Sequence, residues 1–314
     1  MTAIFTPKLR KLLFGISAAE TLVATRGFTV SNPAVKTRIE QIGSSFVEGY
    51  HAALLDNNPV SLAVTLNASP LEQRGFVFEG AAMGLVICDF LAPWRQSRWQ
   101  AFLQGPGAAH TYMLHVGAGW AMARLPGFGG MLKNLDPLLR WLVLDGYGFH
   151  EGYFHSNKSI VSQIYPNSIS GYGYCAFDQG LGRSFWFVYG ADAQRIASII
   201  NDFPLSRRKA LWSGVGLAAA YAGGVAVADL QTLAELADQY QPQLAQGAAF
   251  AAKARQLASN PAEHTQNACR IFCRTTADVA AGITDQALLD LPFDDSTLPA
   301  YEYWRQRIQA SFSE

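Results

Sequence analysis

The sequence predicts a mostly α protein, a helical repeat-like body with room for only a few short strands. Three observations carry that expectation. Six segments place apolar residues three and four positions apart, helix-start residues precede several of them, and alternating runs are few. In chain order, Val35–Leu55 follows Asn32-Pro33, an N-cap residue with proline at the first helical position. Pro93–Leu103 and Ala191–Asp202 carry the same spacing. Ser206–Tyr221 starts behind Pro204, Thr232–Leu257 reads as one continuous helix, and Pro261–Ala280 starts at Asn260-Pro261. The best alternating runs, Arg74–Gly80 (RGFVFEG) and Arg183–Gly190 (RSFWFVYG), read as strands. Ser162–Gly180, rich in Gly, Tyr and Ser, reads as loop.

Composition narrows the class of partner. The chain has 314 residues, with 24 Lys+Arg against 24 Asp+Glu and a formal net charge of zero. Charged residues make up 15%, against roughly 25% in an ordinary soluble domain. A chain of this length buries a large core without a metal or disulfide staple. Without a Lys/Arg block there is no electrostatic footprint for nucleic acid. Low charge and 28 glycines suit a partly apolar surface, as in a homo-oligomer or a protein with a lipophilic ligand.

The four cysteines are scattered and read as buried thiols of a cytoplasmic protein; Cys269 and Cys273 share one face of any helix there. Lys8, Arg10 and Lys11 flank a short apolar stretch with no cleavage signal. Residues 1–30 are therefore expected to form a basic amphipathic segment able to touch a membrane surface or a protein partner. Leu211–Leu230 is about long enough to span a bilayer. Gly214, Gly216, Gly223, Gly224 and Asp229 interrupt it, so it reads as a buried helix.

Internal similarity suggests duplicated units of roughly 100 residues. Phe46–His51 (FVEGYH) matches Phe149–Phe154 (FHEGYF), with Ala245–Phe250 a weaker third copy. Phe76–Ala81 lines up with Phe185–Ala191, and His115–Ala121 with Ser213–Ala218. The implied units are 31–145, 146–243 and an incomplete 244–314, stacked into one continuous body. Glycine inside a helix costs about 1 kcal/mol relative to alanine. The recurring Gly-x-Gly pairs, Gly117/Gly119 and Gly214/Gly216, are therefore expected to mark close helix–helix approach. They are not phosphate loops, because no strand precedes them and no third glycine follows at the right offset.

The densest chemical cluster is Leu144–His155 (LDGYGFHEGYFH). His150, Glu151 and Asp145 are the catalytic candidates, an acid/base group if the chain bends them together, with Tyr147 beside them as a substrate contact. His150 and His155 are five apart, not the four of the HExxH zinc motif, so no metal site is expected. Arg74 and Glu79 form a second candidate pair, paralleled by Asp178, Arg183 and Tyr189; buried Arg–carboxylate pairing is the plainer reading of both. His115, and His264 beside Glu263, rank third. A GxSxG elbow and a P-loop are missing from the sequence, and no cofactor is expected.

The strings RGFVFEGAAMG (Arg74–Gly84), LDGYGFHEGYF (Leu144–Phe154), GLGRSFWF (Gly180–Phe187) and AAFAAKAR (Ala248–Arg255) resemble the UnbL-like proteins, a bacterial family that accompanies enediyne polyketide synthase genes. The similarity runs from about Arg26-Gly27-Phe28 to His264. It implies a role in making a specialised metabolite, on or near a highly unsaturated polyketide chain, and carries over Arg74, Glu79, Asp145, His150, Glu151, Arg183 and His264 as site positions. Two functions follow as expectations. One is a tailoring enzyme that isomerises, cyclises or dehydrogenates a lipophilic polyene intermediate. The other is a non-catalytic helical-repeat protein that binds that intermediate or scaffolds a membrane or enzyme partner from the same pathway.

Overall fold

The computed structural model describes residues 6–94, 96–125, 132, 135–294 and 298–313, so residues 1–5 of the expected N-terminal segment lie outside the described residues. Among these every regular element is a helix. The chain opens with α1 (Pro7–Phe14) and α2 (Val23–Arg26), then α3 (Pro33–Leu55), α4 (Pro59–Asn67), α5 (Arg74–Phe90), α6 (Arg98–Leu103) and α7 (Thr111–Met122). It continues with α8 (Arg140–Phe154), α9 (Gly173–Val188), α10 (Ala193–Asn201), α11 (Leu205–Ala222) and α12 (Val227–Ala237). The C-terminal part holds α13 (Gln241–Leu257), α14 (Glu263–Phe272), α15 (Ala277–Gln286) and α16 (Ala300–Ala310). None of the described helices is long and apolar enough to cross a membrane.

Local chemistry sets several boundaries. Asn32 Oδ1 accepts from Ala34 N at 2.9 Å and Val35 N at 3.4 Å, with Pro33 opening α3, and Asn58-Pro59 starts α4 in the same way. Asn260 does not cap α14, which begins at Glu263 behind Ala262; its buried amide faces Leu71 O instead, at 3.5 Å. The expected single helix over 232–257 breaks at Asp238, whose positive φ of 45° ends α12 before Pro242 restarts the chain in α13.

The long helices are joined by glycine. Two residues apart on a helix means about 200° around its axis, so the members of a Gly-x-Gly pair face opposite sides. On α7, Gly119 packs against α8 at Gly146, while Gly117 packs back onto Glu79 of α5. Gly148 of α8 then meets α9 beside Gly180, Gly182 of α9 meets α11 near Gly214, and Gly216 of α11 meets α13 near Gly247. At each of these glycines a Cβ would overlap a neighbouring carbonyl, so close backbone approach is the role they serve. Successive helices run in the same sense: contacts between α9 and α11 progress from Asp178–Arg207 to Trp186–Gly223, and between α11 and α13 from Ser213–Gln246 to Tyr221–Arg255. Parallel neighbours need return connections, and α10 and α12 supply two of them.

These crossings fall 29 to 34 residues apart, and three of them span the 97 residues from Gly117 to Gly214, close to the offset of the sequence matches. Gly49 and Gly152 of the FVEGYH and FHEGYF strings occupy like positions, each packed on the following long helix. Gly80 and Gly190 do not: Gly80 lies inside α5, whereas Gly190 lies beyond α9 with φ 61°.

Both strand expectations give way to helix. Arg74–Gly80 opens α5, which is buried on every side from Gly75 to Cys88, and Arg183–Val188 closes the equally buried α9. A helix apolar all round shows no 3.6-residue stripe, so its alternation is incidental. The expected loop over 162–180 likewise ends at Gly173, where α9 begins.

Candidate functional site

The residue before the first glycine of a crossing faces the interior, and four such residues, Asp145, Gln179, Ser213 and Gln246, are fully buried. They form a polar ladder through the core. Gln179 Nε2 donates to Asp145 Oδ2 at 2.8 Å and to Tyr301 Oη at 3.2 Å. Ser213 Oγ donates to Gln246 Oε1 at 2.7 Å, which also accepts from Arg305 Nε at 3.3 Å. At the other end Asp145 accepts from Arg183, and the Arg183 guanidinium lies 3.9 Å from Glu79 Oε1. Glu79 also accepts from Trp120 Nε1 at 3.0 Å.

One guanidinium thus stands between two buried carboxylates. With both ionised, the trio would carry an uncompensated negative charge in the core, a costly state. The carboxylate farther from Arg183 is the one relieved by a proton. Burial pushes Glu79 up to about 7, against the pull of Arg183 and the Trp120 hydrogen bond and with a further push from Asp145. For Arg183 burial favours losing the proton, but Asp145 and Glu79 outweigh it and raise its pKa. Glu79 is thus the member of the trio that is pushed toward neutral pH, while Arg183 keeps its charge.

Glu79 and Arg183 lie in the wall of an apolar cavity of about 50 Å³, whose third charged residue, Glu20, pairs with Arg26. Phe46, Phe76, Trp120, Phe149, Phe154 and Phe187 supply the aromatic lining, and Ile16, Glu20 and Thr21 of the N-terminal segment lie over it. A water needs about 10–15 Å³ of such space, so the cavity as it stands holds a few waters or a short apolar segment.

The remaining sequence candidates are dispersed. Asp145 belongs to the trio and not to an acid/base group with His150 and Glu151, because it projects about 140° from His150 around α8. His150 and Glu151 sit at the end of α8, with His150 Nδ1 3.1 Å from Glu151 Oε1 and His155 Nδ1 at the same distance. Burial lowers the His150 pKa; for Glu151 burial is outweighed by the hydrogen bond and charge of His150, which hold it low.

Arg74 does not pair with Glu79; its Nε donates to Ser69 O at 3.2 Å. Tyr147 Oη accepts from Ser168 Oγ at 3.5 Å and its ring packs edge-on against Phe177, and Tyr147 does not line the cavity. His264 contacts Tyr221 O at 3.0 Å and Glu72 at 3.4 Å in a separate surface depression, its pKa lowered to about 4 by burial and Arg255. His115 is bound to Thr111 O at 2.7 Å. Trp120 and Gln179, which complete the site, were not among the sequence candidates. The signal for Gln179 lay in the position before Gly180, a polar residue at the edge of a Gly-x-Gly pair. Nothing local marks Trp120.

The fold and the site define an all-helical protein that buries an acid–guanidinium–acid trio against an aromatic cavity. The chain belongs to the family described as Protein of unknown function (DUF1702), whose family model matches residues 5–312. No curated protein and no solved structure matches it.

Proposed function

We propose that this protein moves a proton on a lipophilic, unsaturated acyl chain, as an isomerase of an enediyne-type polyketide intermediate. The observation that carries the reading is Glu79, a buried carboxyl with a pKa near 7 facing an aromatic cavity. A base of that pKa is half ionised at neutral pH, the condition for efficient proton transfer. Trp120 holds Oε1, leaving Oε2 to take a proton from the sp³ carbon next to a conjugated carbonyl system, whose electron pair passes to the carbonyl oxygen. Arg183 stabilises the charge that develops on that carbonyl oxygen. Return of the proton from Glu79 to a different carbon shifts the double bond, and no electrons are gained or lost. In this reading Glu79, not His150, is the acid/base residue. The exposed Leu12 and Leu13 beside Lys8 and Lys11 on α1 support a peripheral contact of the same cytoplasmic protein with a membrane or pathway partner.

The test is incubation of the purified chain with a conjugated polyenoyl thioester in deuterated water, followed by mass spectrometry. The wild type incorporates deuterium and shifts the substrate's absorbance; Glu79→Gln, which keeps an acceptor for Trp120, slows exchange by about 10²–10⁴-fold. Tight binding with no exchange in the wild type would replace this reading with that of a non-catalytic carrier, and neither binding nor exchange would remove both.

A further inference from the structure

The structure assigns a second site at the end of α8: we propose that His150, Glu151 and His155 bind one divalent first-row cation such as zinc or ferrous iron. On a continuous helix His150 and His155 would diverge by about 140°, which is why their spacing argues against a shared ligand. The helix, however, stops at Phe154. His155 is the C-cap, with φ −127° and ψ 41°; it lies one turn beyond Glu151, and its ring centroid stands 5.7 Å from that of His150. Arg26 fixes the stop, its Nη2 donating to Tyr153 O and Phe154 O at 3.2 Å each.

The result is two imidazole nitrogens and one carboxylate oxygen, all within 4.8 Å of one another. Two ligands at the usual bond length of about 2.1 Å stand about 3.4 Å apart around a tetrahedral ion, so small side-chain rotations close the set. Two histidines and a carboxylate with open positions are the donor set of catalytic zinc and non-haem ferrous sites. Burial is graded in the way such a site needs. The His150 and Glu151 side chains are 7% and 8% exposed, whereas that of His155 is 55% exposed. Two ligands are thus held in place, and the third leaves an entry path and solvent-facing positions for water. The His150 ring also meets the Trp120 indole edge-on at 5.6 Å, and that indole donates to Glu79. The cation site therefore adjoins the cavity wall, but it does not depend on the proton-transfer reading.

Titration of chelator-stripped full-length protein with zinc chloride, by calorimetry and native mass spectrometry, tests this. Wild type is expected to take up one equivalent and to gain thermal stability. His155→Ala, an exposed position that leaves the core intact, is expected to bind about tenfold or more weakly, as is Glu151→Gln. Cobalt(II) gives a second readout, a visible ligand-field band present in the wild type and lost in His155→Ala. Zinc binding of equal strength in wild type and His155→Ala, or no stoichiometric uptake by the wild type, overturns the assignment.

Discussion

Asp178 and Glu79 are both buried carboxylates on long helices, and they are held in opposite ways. Asp178 receives Arg207 through Nε at 3.0 Å and through Nη2, and Tyr165 Oη at 2.6 Å, so its oxygens are occupied. Glu79 has one donor on one oxygen and a guanidinium at 3.9 Å that is committed to Asp145. Asp178 has the pairing of a structural group. Glu79 is the under-neutralised one, and it faces a cavity. Burial raises the pKa of both carboxyls, and what separates them is pairing: Arg207 and Tyr165 pull against burial at Asp178, while the guanidinium near Glu79 is bound to Asp145.

The comparison can be broken most directly at its structural side. Arg207→Met leaves Asp178 buried without its cation and is expected to destabilise the fold by about 3–5 kcal/mol, with Asp178→Asn added to it recovering part of the loss. Chemical denaturation of the single and double variants measures this, and an additive double variant would refute the pairing account.

At Glu79 the sign of the pH dependence is decisive. Its pKa is raised from 4.5 to about 7 on folding, so its contribution is fully present below pH 4.5 and is lost as pH rises to about 7. Relative to Glu79→Gln, the wild type should lose on the order of 3 kcal/mol across that window and then level off. Two parallel stability curves would show that folding does not raise the Glu79 pKa. The histidines do not obscure this: burial lowers His110 to about 4, an opposite slope, but it is common to both proteins and cancels in the difference.

Two alanines sharpen the role of the crossings. Gly180→Ala places a Cβ on the Asp145 carbonyl and forces α8 and α9 apart, which should cost about 1–3 kcal/mol or more and disturb the Asp145–Arg183 pair. Gly282→Ala in α15 meets nothing within 4 Å and should stabilise by about 0.5–1 kcal/mol. Thermal melts of the pair separate close approach from helix propensity.

Much of the fold was legible because its signals are local. Asn32-Pro33 starts α3 by satisfying its own amides, and the Gly-x-Gly pairs announce tight helix contact since nothing else explains their cost. The site was half legible. Glu79, Arg183 and Asp145 stood among the candidates, but Arg74 was the expected partner of Glu79, five residues away in sequence. The true partner lies 104 residues later, on α9. LDGYGFHEGYFH read as one cluster, yet the helix turns Asp145 to the interior and His150 and Glu151 toward its open end.

Composition, periodicity and glycine spacing by themselves determined a mostly α body with closely crossing helices, because those signals act within a few residues of where they are written. Tertiary structure alone decided which charges pair, which carboxylate stays under-neutralised and where α8 stops. Charge pairing depends on distance and dielectric in space, and residues 30 to 100 apart in the chain carry no local trace of either.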